Sequence, residues 1–212
     1  MDSKEKHQRE QALHLRIVKV ALQAFVESGI KAVTMDEIAS LLGISKRTLY
    51  EHFPDKENLV LACVKYHHQE HEAVMMKALS VYDNVIDIIL SFYRYTVEDF
   101  YKVNPRFFQD MRRYPSIQKL AKERNQDYNE STIVFFERGV EEGLLRKDVN
   151  FRIAHELLNY QFSLLMEGNI TLKYSFFEVY ESIFFTFLRG VSTEKGQLII
   201  EQFIKDYRKN KK

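Results

Sequence analysis

The 212-residue chain predicts an all-α fold, and three features carry that expectation. Only seven glycines and three prolines punctuate it, no Asn-Gly or Asp-Gly hairpin pair occurs, and apolar residues recur at three- and four-residue spacing over long stretches. No stretch alternates in the strand period. With 45% apolar residues there is material for one sizeable core or two small ones.

The elements follow in order. Leu13, Ile17, Val20, Ala21, Ala24 and Phe25 form one stripe, so the spacing predicts a first helix over Arg9 to Ser28, ended by Gly29. Thr34-Met-Asp-Glu37 reads as a capping box opening a short helix to Leu42. Gly43 permits a sharp turn, Ile44 plugs it, and Ser45 caps a second short helix, Lys46 to His52, stopped near Pro54. Two short helices joined by a glycine-containing turn make a helix-turn-helix signature. Asp55 caps a longer helix to about Leu79, and further helices are expected over 84–102, 105–113, 116–142, 151–168, 175–189 and 193–208. The architecture predicted is an N-terminal three-helix helix-turn-helix domain (1–54) and a larger helical ligand-binding and dimerisation domain (55–212), nine to ten helices in all. The joint near Pro54 is helical, so the two parts are expected to be mechanically coupled.

Composition excludes several classes. The single cysteine, Cys63, rules out an intrachain disulfide framework and a cysteine-built zinc module, and suits a reducing, cytoplasmic location. The polar start, Met1 to Glu10, lacks the apolar stretch of a leader and no run is apolar enough to span a bilayer, so neither a secreted chain nor a membrane partner is expected. The chain contains no G-x-S-x-G, no phosphate-cradling glycine loop and no Cys-x-x-Cys, so an enzyme is not expected, nor a cofactor. His67 and His71, four apart, invite a metal reading, but no His-Glu-x-x-His pattern surrounds them, and no metal site is assigned. Formal net charge is only +1, and residues 1–56 carry nine Lys/Arg against eight Asp/Glu. The basic tail, Lys205 to Lys212, reads as a solvated terminus.

Ile17 to Phe25, Gly29, Thr34-Met-Asp-Glu-Ile-Ala39, Leu42-Gly-Ile-Ser45, Thr48-Leu-Tyr-Glu-His-Phe53 and Lys56-Glu57 together resemble the N-terminal DNA-binding domain of TetR-type transcriptional regulators. The resemblance runs from about Ile17 to Val64. Beyond it, only length and helical character agree with that family. In such a unit the second short helix enters the major groove and presents its first turn to base edges. Arg47 and Thr48 are the expected base readers, and Lys46 the expected phosphate contact. The bland alternative for Lys46 and Arg47 is a solvated face. The resemblance implies backbone contacts for Tyr50 and His52, whose alternative is packing. Thr34 and Lys56 stand at helix starts that favour phosphate. Leu49 and Phe53 should seat the reading helix on Ile17, Ala21, Ile38 and Ala39. The family often carries Gly or Ala where this chain has Arg47, so its contact pattern does not transfer unchanged.

One such unit covers too few base pairs, so a homodimer on palindromic double-stranded DNA is expected. Two C-terminal segments are apolar on more than one side, which suits a second partner. The interface expected is Leu158, Phe162, Leu165, Phe176, Tyr180, Ile183, Phe184 and Phe187, as a four-helix arrangement between subunits. The alternative is burial inside a single larger core. The aromatic-rich middle suits a small lipophilic or aromatic effector, with Tyr93, Phe108, Met111, Tyr128 and Phe162 as lining candidates. The resemblance implies a regulator, a repressor by the family's majority behaviour, released by its ligand. Two rival readings remain: a DNA-bound adaptor without a small-molecule ligand, and a helical lipid-binding or enzymatic protein that keeps the fold only.

Overall fold

A computed structural model describes the backbone of residues 3–167, 170 and 173–209, and their side chains except at 3, 121, 122, 124–129, 164, 166 and 167. Ten α-helices are present among them: α1 Ser3–Ser28, α2 Met35–Leu42, α3 Lys46–His52, α4 Lys56–Val81, α5 Val85–Phe100, α6 Pro105–Met111, α7 Pro115–Glu141, α8 Phe151–Glu167, α9 Phe176–Val191 and α10 Glu194–Lys209. No strand occurs among the described residues; Leu145 and Ser192 form an isolated bridge. The all-α expectation holds.

Element ends depart from the sequence reading where polar residues extend a helix. The apolar stripe begins at Leu13, whereas α1 begins at Ser3. Residues 4–12 are solvent-exposed Lys, Glu, Gln and Arg-rich sequence, good helix formers that need no buried face to propagate a helix already anchored downstream.

The chain divides into two compact units. One comprises Met1–Ala73 with Tyr101–Lys122, the other Val74–Phe100 with Glu123–Lys212. The joint between residues 54 and 55 thus falls inside the first unit, and α4 and α7 each supply residues to both.

The first unit has a core built from Ile17, Ala21 and Phe25 of α1, Ile38 and Ala39 of α2, Leu49 of α3, Phe53, and Leu59, Val60 and Cys63 of α4, joined by Phe107 of α6 and Ile117 of α7. The Cys63 thiol donates to Val18 O at 3.4 Å, and its burial drives the thiol pKa up, so it stays protonated.

The second unit has its own core. Val85, Ile86, Leu90, Tyr93 and Val97 of α5 meet Ile133 and Phe136 of α7, Leu165 of α8, Val179, Tyr180, Phe185 and Leu188 of α9, and Ile200 and Ile204 of α10. The turn between α7 and α8 is pinned by Arg146, whose N–H donates to Val191 O at 2.8 Å and whose guanidinium pairs with Asp148.

Candidate nucleic-acid interface

The reading helix is placed by local chemistry first. The Thr34 hydroxyl accepts from Glu37 N–H at 3.2 Å, and the Glu37 carboxylate accepts from Thr34 N–H at 2.6 Å, completing the capping box. The Thr34 N–H, and with it the Thr34 hydroxyl at 2.9 Å, donate to that carboxylate and hold it below the usual carboxylate range. Gly43 closes α2 at φ 65°, a left-handed conformation that glycine adopts without a Cβ clash, and Ile44 N–H then reaches back to Ala39 O at 3.1 Å. Ser45 caps α3 by accepting from Thr48 N–H at 3.0 Å.

Packing then orients α3. Leu49 is fully buried and Phe53 nearly so, in the same cluster as Ile17, Ala21, Ile38 and Ala39. With that side committed to the core, the first turn faces outward. Arg47 has 89% of its side chain exposed, and its Nε lies 3.0 Å from Glu51 Oε1. Lys46 pairs with Asp36 of α2. Thr48 is half-buried, its hydroxyl 2.8 Å from that of Ser45. Both cations therefore stand at the surface beside a carboxylate. Exposed pairs of this kind are worth well under about 1 kcal/mol each, so exchange for a phosphate or a guanine edge costs little.

The remaining candidates differ in exposure. Tyr50 is 47% exposed on the same helix. His52 is half-buried, its ring 5.8 Å from that of His14, and His14 stacks on Phe53 at 4.5 Å. Burial, and then repulsion from His52, lower the His14 pKa. Thr34 is exposed at the start of α2. Lys56 is half-buried with Nζ 5.8 Å from the Phe25 ring centre. Burial lowers its pKa, while the Asp110 and Glu37 carboxylates pull the other way.

Sequence reasoning missed Asp36, Glu51 and His14 as neighbours of the reading helix. The Arg47–Glu51 pair carried a signal, its four-residue spacing on one helix; the other two are brought in by the turn and by α1.

The ligand candidates do not share one environment. Phe108 and Met111 pack against the first unit's core, whereas Tyr93 and Phe162 belong to the second unit's aromatic core. The Tyr128 side chain lies outside the described residues. Open grooves among the described residues of the second unit include one of about 370 Å³ lined by Leu165, Ile170, Tyr174, Val179 and Ile183, and one of about 580 Å³ lined by Ile133, Val140, Lys147, Phe151 and Arg152. None of the four described candidates lines either. The rings of His67 and His71 sit 4.3 Å apart on α4.

Of the candidate interface residues, Leu165 and Tyr180 are buried within the second unit at 3% and 7% exposure, and Leu158, Phe162, Phe176, Ile183, Phe184 and Phe187 are half-buried. Among the described residues, α8 also leaves Ile153, Leu157 and Tyr160 open, at 56%, 56% and 67% exposure and on one helix face.

Residues 17–63 match the family model described as bacterial regulatory proteins, tetR family. Among relatives similar over part of the chain are the uncharacterized HTH-type transcriptional regulator YerO of Bacillus subtilis, 44% identical over 52 residues, 24% of this chain and 18% of that protein, and the HTH-type transcriptional activator FasR of Mycolicibacterium smegmatis, 42% identical over 52 residues, 24% of each. The chain thus spans less than a third of the length of the curated relatives it matches. Fold likeness reaches further. A transcriptional regulator from Saccharomonospora viridis in complex with choline superposes with a TM-score of 0.68 at 16% identity, over 87% of this chain and all of that one. A TetR-family regulator from Cytophaga hutchinsonii gives 0.65 at 15% identity, over 88% and 98%. No helix among the described residues is long and apolar enough to cross a membrane. Residues 17–63 thus match the helix-turn-helix segment of the tetR family of bacterial regulatory proteins, and the helical fold of the chain is shared with solved regulators along most of its length.

Proposed function

We propose that the chain is a homodimeric transcriptional repressor that reads a palindromic operator with α3 in the major groove and is released by a small lipophilic or aromatic ligand held in its C-terminal helical unit. The observation that carries this reading is the presentation of Arg47: a guanidinium 89% exposed on the first turn of a helix whose opposite side, Leu49, is fully buried. A guanidinium so placed can make the bidentate contact to a guanine O6 and N7, while Lys46, Tyr50 and the Thr34 helix start meet the sugar-phosphate backbone. A charge balance near zero over residues 1–56 leaves nonspecific attraction weak, so affinity depends on adding two half-sites about 34 to 36 Å apart, or a multiple of that.

The second subunit is assigned to the α8–α9 surface, supported by the open Ile153, Leu157 and Tyr160 face. Ligand response is supported by the apolar groove beside α8 and α9 and by the choline found with the Saccharomonospora viridis regulator. A ligand that favours the non-binding conformer by about 1 to 3 kcal/mol changes operator affinity roughly 5- to 150-fold. Repression is distinguished from activation, the role named for FasR, by the direction of reporter expression when the gene is deleted.

The deciding experiment is selection of duplex fragments from a random pool by the full chain, followed by titration of the selected site with wild type and Arg47→Ala. Wild type should show a palindromic preference, weakening as salt rises, and Arg47→Ala should relax it. Absence of any sequence preference at every salt concentration overturns the proposal.

A further inference from the structure

The segment 101–122 belongs to the same compact unit as the helix-turn-helix, although the family match ends at residue 63. Polar contacts with backbone groups attach it there. Asn104 N–H donates to Val26 O at 2.7 Å and its side-chain amide donates to Glu27 O at 3.1 Å, satisfying carbonyls that the last turn of α1 leaves without intrahelical partners. The Asp110 carboxylate, on a residue only 7% exposed, accepts from Lys31 N–H at 2.7 Å. Between these two contacts lies Gly29, at φ 86°, where an added Cβ would stand 2.9 Å from Arg106 Cβ, so α6 rests directly on the turn. Ser116 closes the far side: its hydroxyl donates to Glu57 Oε1 at 2.6 Å.

We propose that Asp110, seconded by Asn104, is a positioning residue for the reading helix: it fixes the start of the α1–α2 turn and through it the seat of α2 and α3. The physical reason is the shortness of the segments downstream of Lys31. Only Ala32 and Val33 separate Lys31 from the Thr34 cap, and α2 and α3 are eight and seven residues long, too short to hold a direction without tertiary support. A carboxylate hydrogen-bonded to a backbone N–H is among the stronger single restraints available there, because the acceptor is charged. The reading head is therefore 17–63 together with 104–117, and a displacement of α6 moves the loop that launches α2. This inference rests on the DNA-binding reading above for its consequence, and on the Asp110–Lys31 contact for its cause.

The test uses the full-length chain with Asp110→Ala, Asp110→Asn and Asn104→Ala, reading amide hydrogen exchange over residues 30–42 and affinity for the fragment selected by wild type. Asp110→Ala should speed exchange at Lys31 to Ile38 and weaken the complex, each by roughly tenfold, the scale of one lost hydrogen bond to a charged group. Asp110→Asn keeps an oxygen acceptor and should stay within about threefold of wild type. Asn104→Ala, which leaves Asp110 in place, supplies the second variant if Asp110→Ala does not fold, with faster exchange at residues 26–31. Unchanged exchange in Asp110→Ala or, where it does not fold, in Asn104→Ala, or an Asp110→Asn defect as large as that of alanine, overturns the proposal. Failure of wild type to select any DNA sinks the functional reading instead, and the exchange result still decides the clamp.

Discussion

The Tyr93 hydroxyl on α5 donates to the Glu181 carboxylate on α9 across 2.7 Å, inside a ring of aromatic side chains that includes Tyr180, Phe184, Phe185, Phe203 and Tyr207. Burial, reinforced by that carboxylate, pushes the phenol pKa far up, so Tyr93 remains a donor at any physiological pH. Removing the hydroxyl leaves the carboxylate short of its partner. Tyr93→Phe should therefore lower stability by about 1 to 3 kcal/mol, seen as a lower denaturant midpoint with an unchanged slope.

The Arg47–Glu51 pair predicts a gain of function. Glu51→Gln removes a negative charge from the surface proposed to face the duplex and releases the guanidinium, so operator affinity should rise a few-fold at low salt and the gain should shrink at high salt. Lys46→Ala should instead weaken binding to all sequences alike and reduce the salt slope by about one, and a loss confined to particular base positions would contradict its assignment to phosphate.

Capping at Thr34 predicts a stability change. Thr34→Ala leaves the Glu37 N–H unsatisfied and should cost about 1 kcal/mol, measured by chemical unfolding. The Glu37 carboxyl is held low by the same cap, so the stabilisation it contributes is present above the ordinary carboxylate pKa and is lost as the pH falls through its lowered folded value.

Two histidines set a pH dependence in a higher range. His14 and His155 both have lowered pKa values, chiefly from burial, so the unfolded chain takes up protons first once the pH drops below about 6.5. Stability present above that value is lost as the pH falls towards the folded ones. The melting temperature should decrease between about pH 7.5 and pH 5.5. His155→Gln, which cannot charge, should flatten that decrease; an unaltered slope would assign the dependence elsewhere.

The α8 face predicts an assembly effect. Leu157→Glu places a carboxylate on an apolar stripe that is already solvent-accessible in the monomer, so the chain should fold but sediment as a monomer. A dimer persisting at micromolar concentration would remove that face from the interface.

Much of the helix-turn-helix was legible because its signals are local. The Thr34–Glu37 box, Gly43, Ser45 and Pro54 lie within 21 residues, each acts on groups within a turn of itself, and the four-residue spacing of Leu49 and Phe53 marks the buried side of α3. Within the candidate site, the exposure of Arg47 follows from its position after a cap, whereas the half-burial of Lys56 on Phe25 was not legible, since it depends on a side chain 31 positions earlier. In the second unit the apolar pattern of α8 and α9 showed that both helices have more than one apolar side, but not which side the chain itself covers. The structure buries Leu165 and Tyr180 and leaves Ile153, Leu157 and Tyr160 outside.

The sequence by itself determined the helical class, the order of the ten helices and the two-helix reading motif, because capping, glycine turns and helical periodicity act between residues a few positions apart. Only the tertiary structure decided that Asp110 holds the turn at Lys31, 79 residues upstream, and that Tyr93 finds Glu181, 88 residues downstream. Contacts at such separations depend on how whole helices pack, and no spacing along the chain encodes which of many polar side chains a given backbone group or carboxylate will meet.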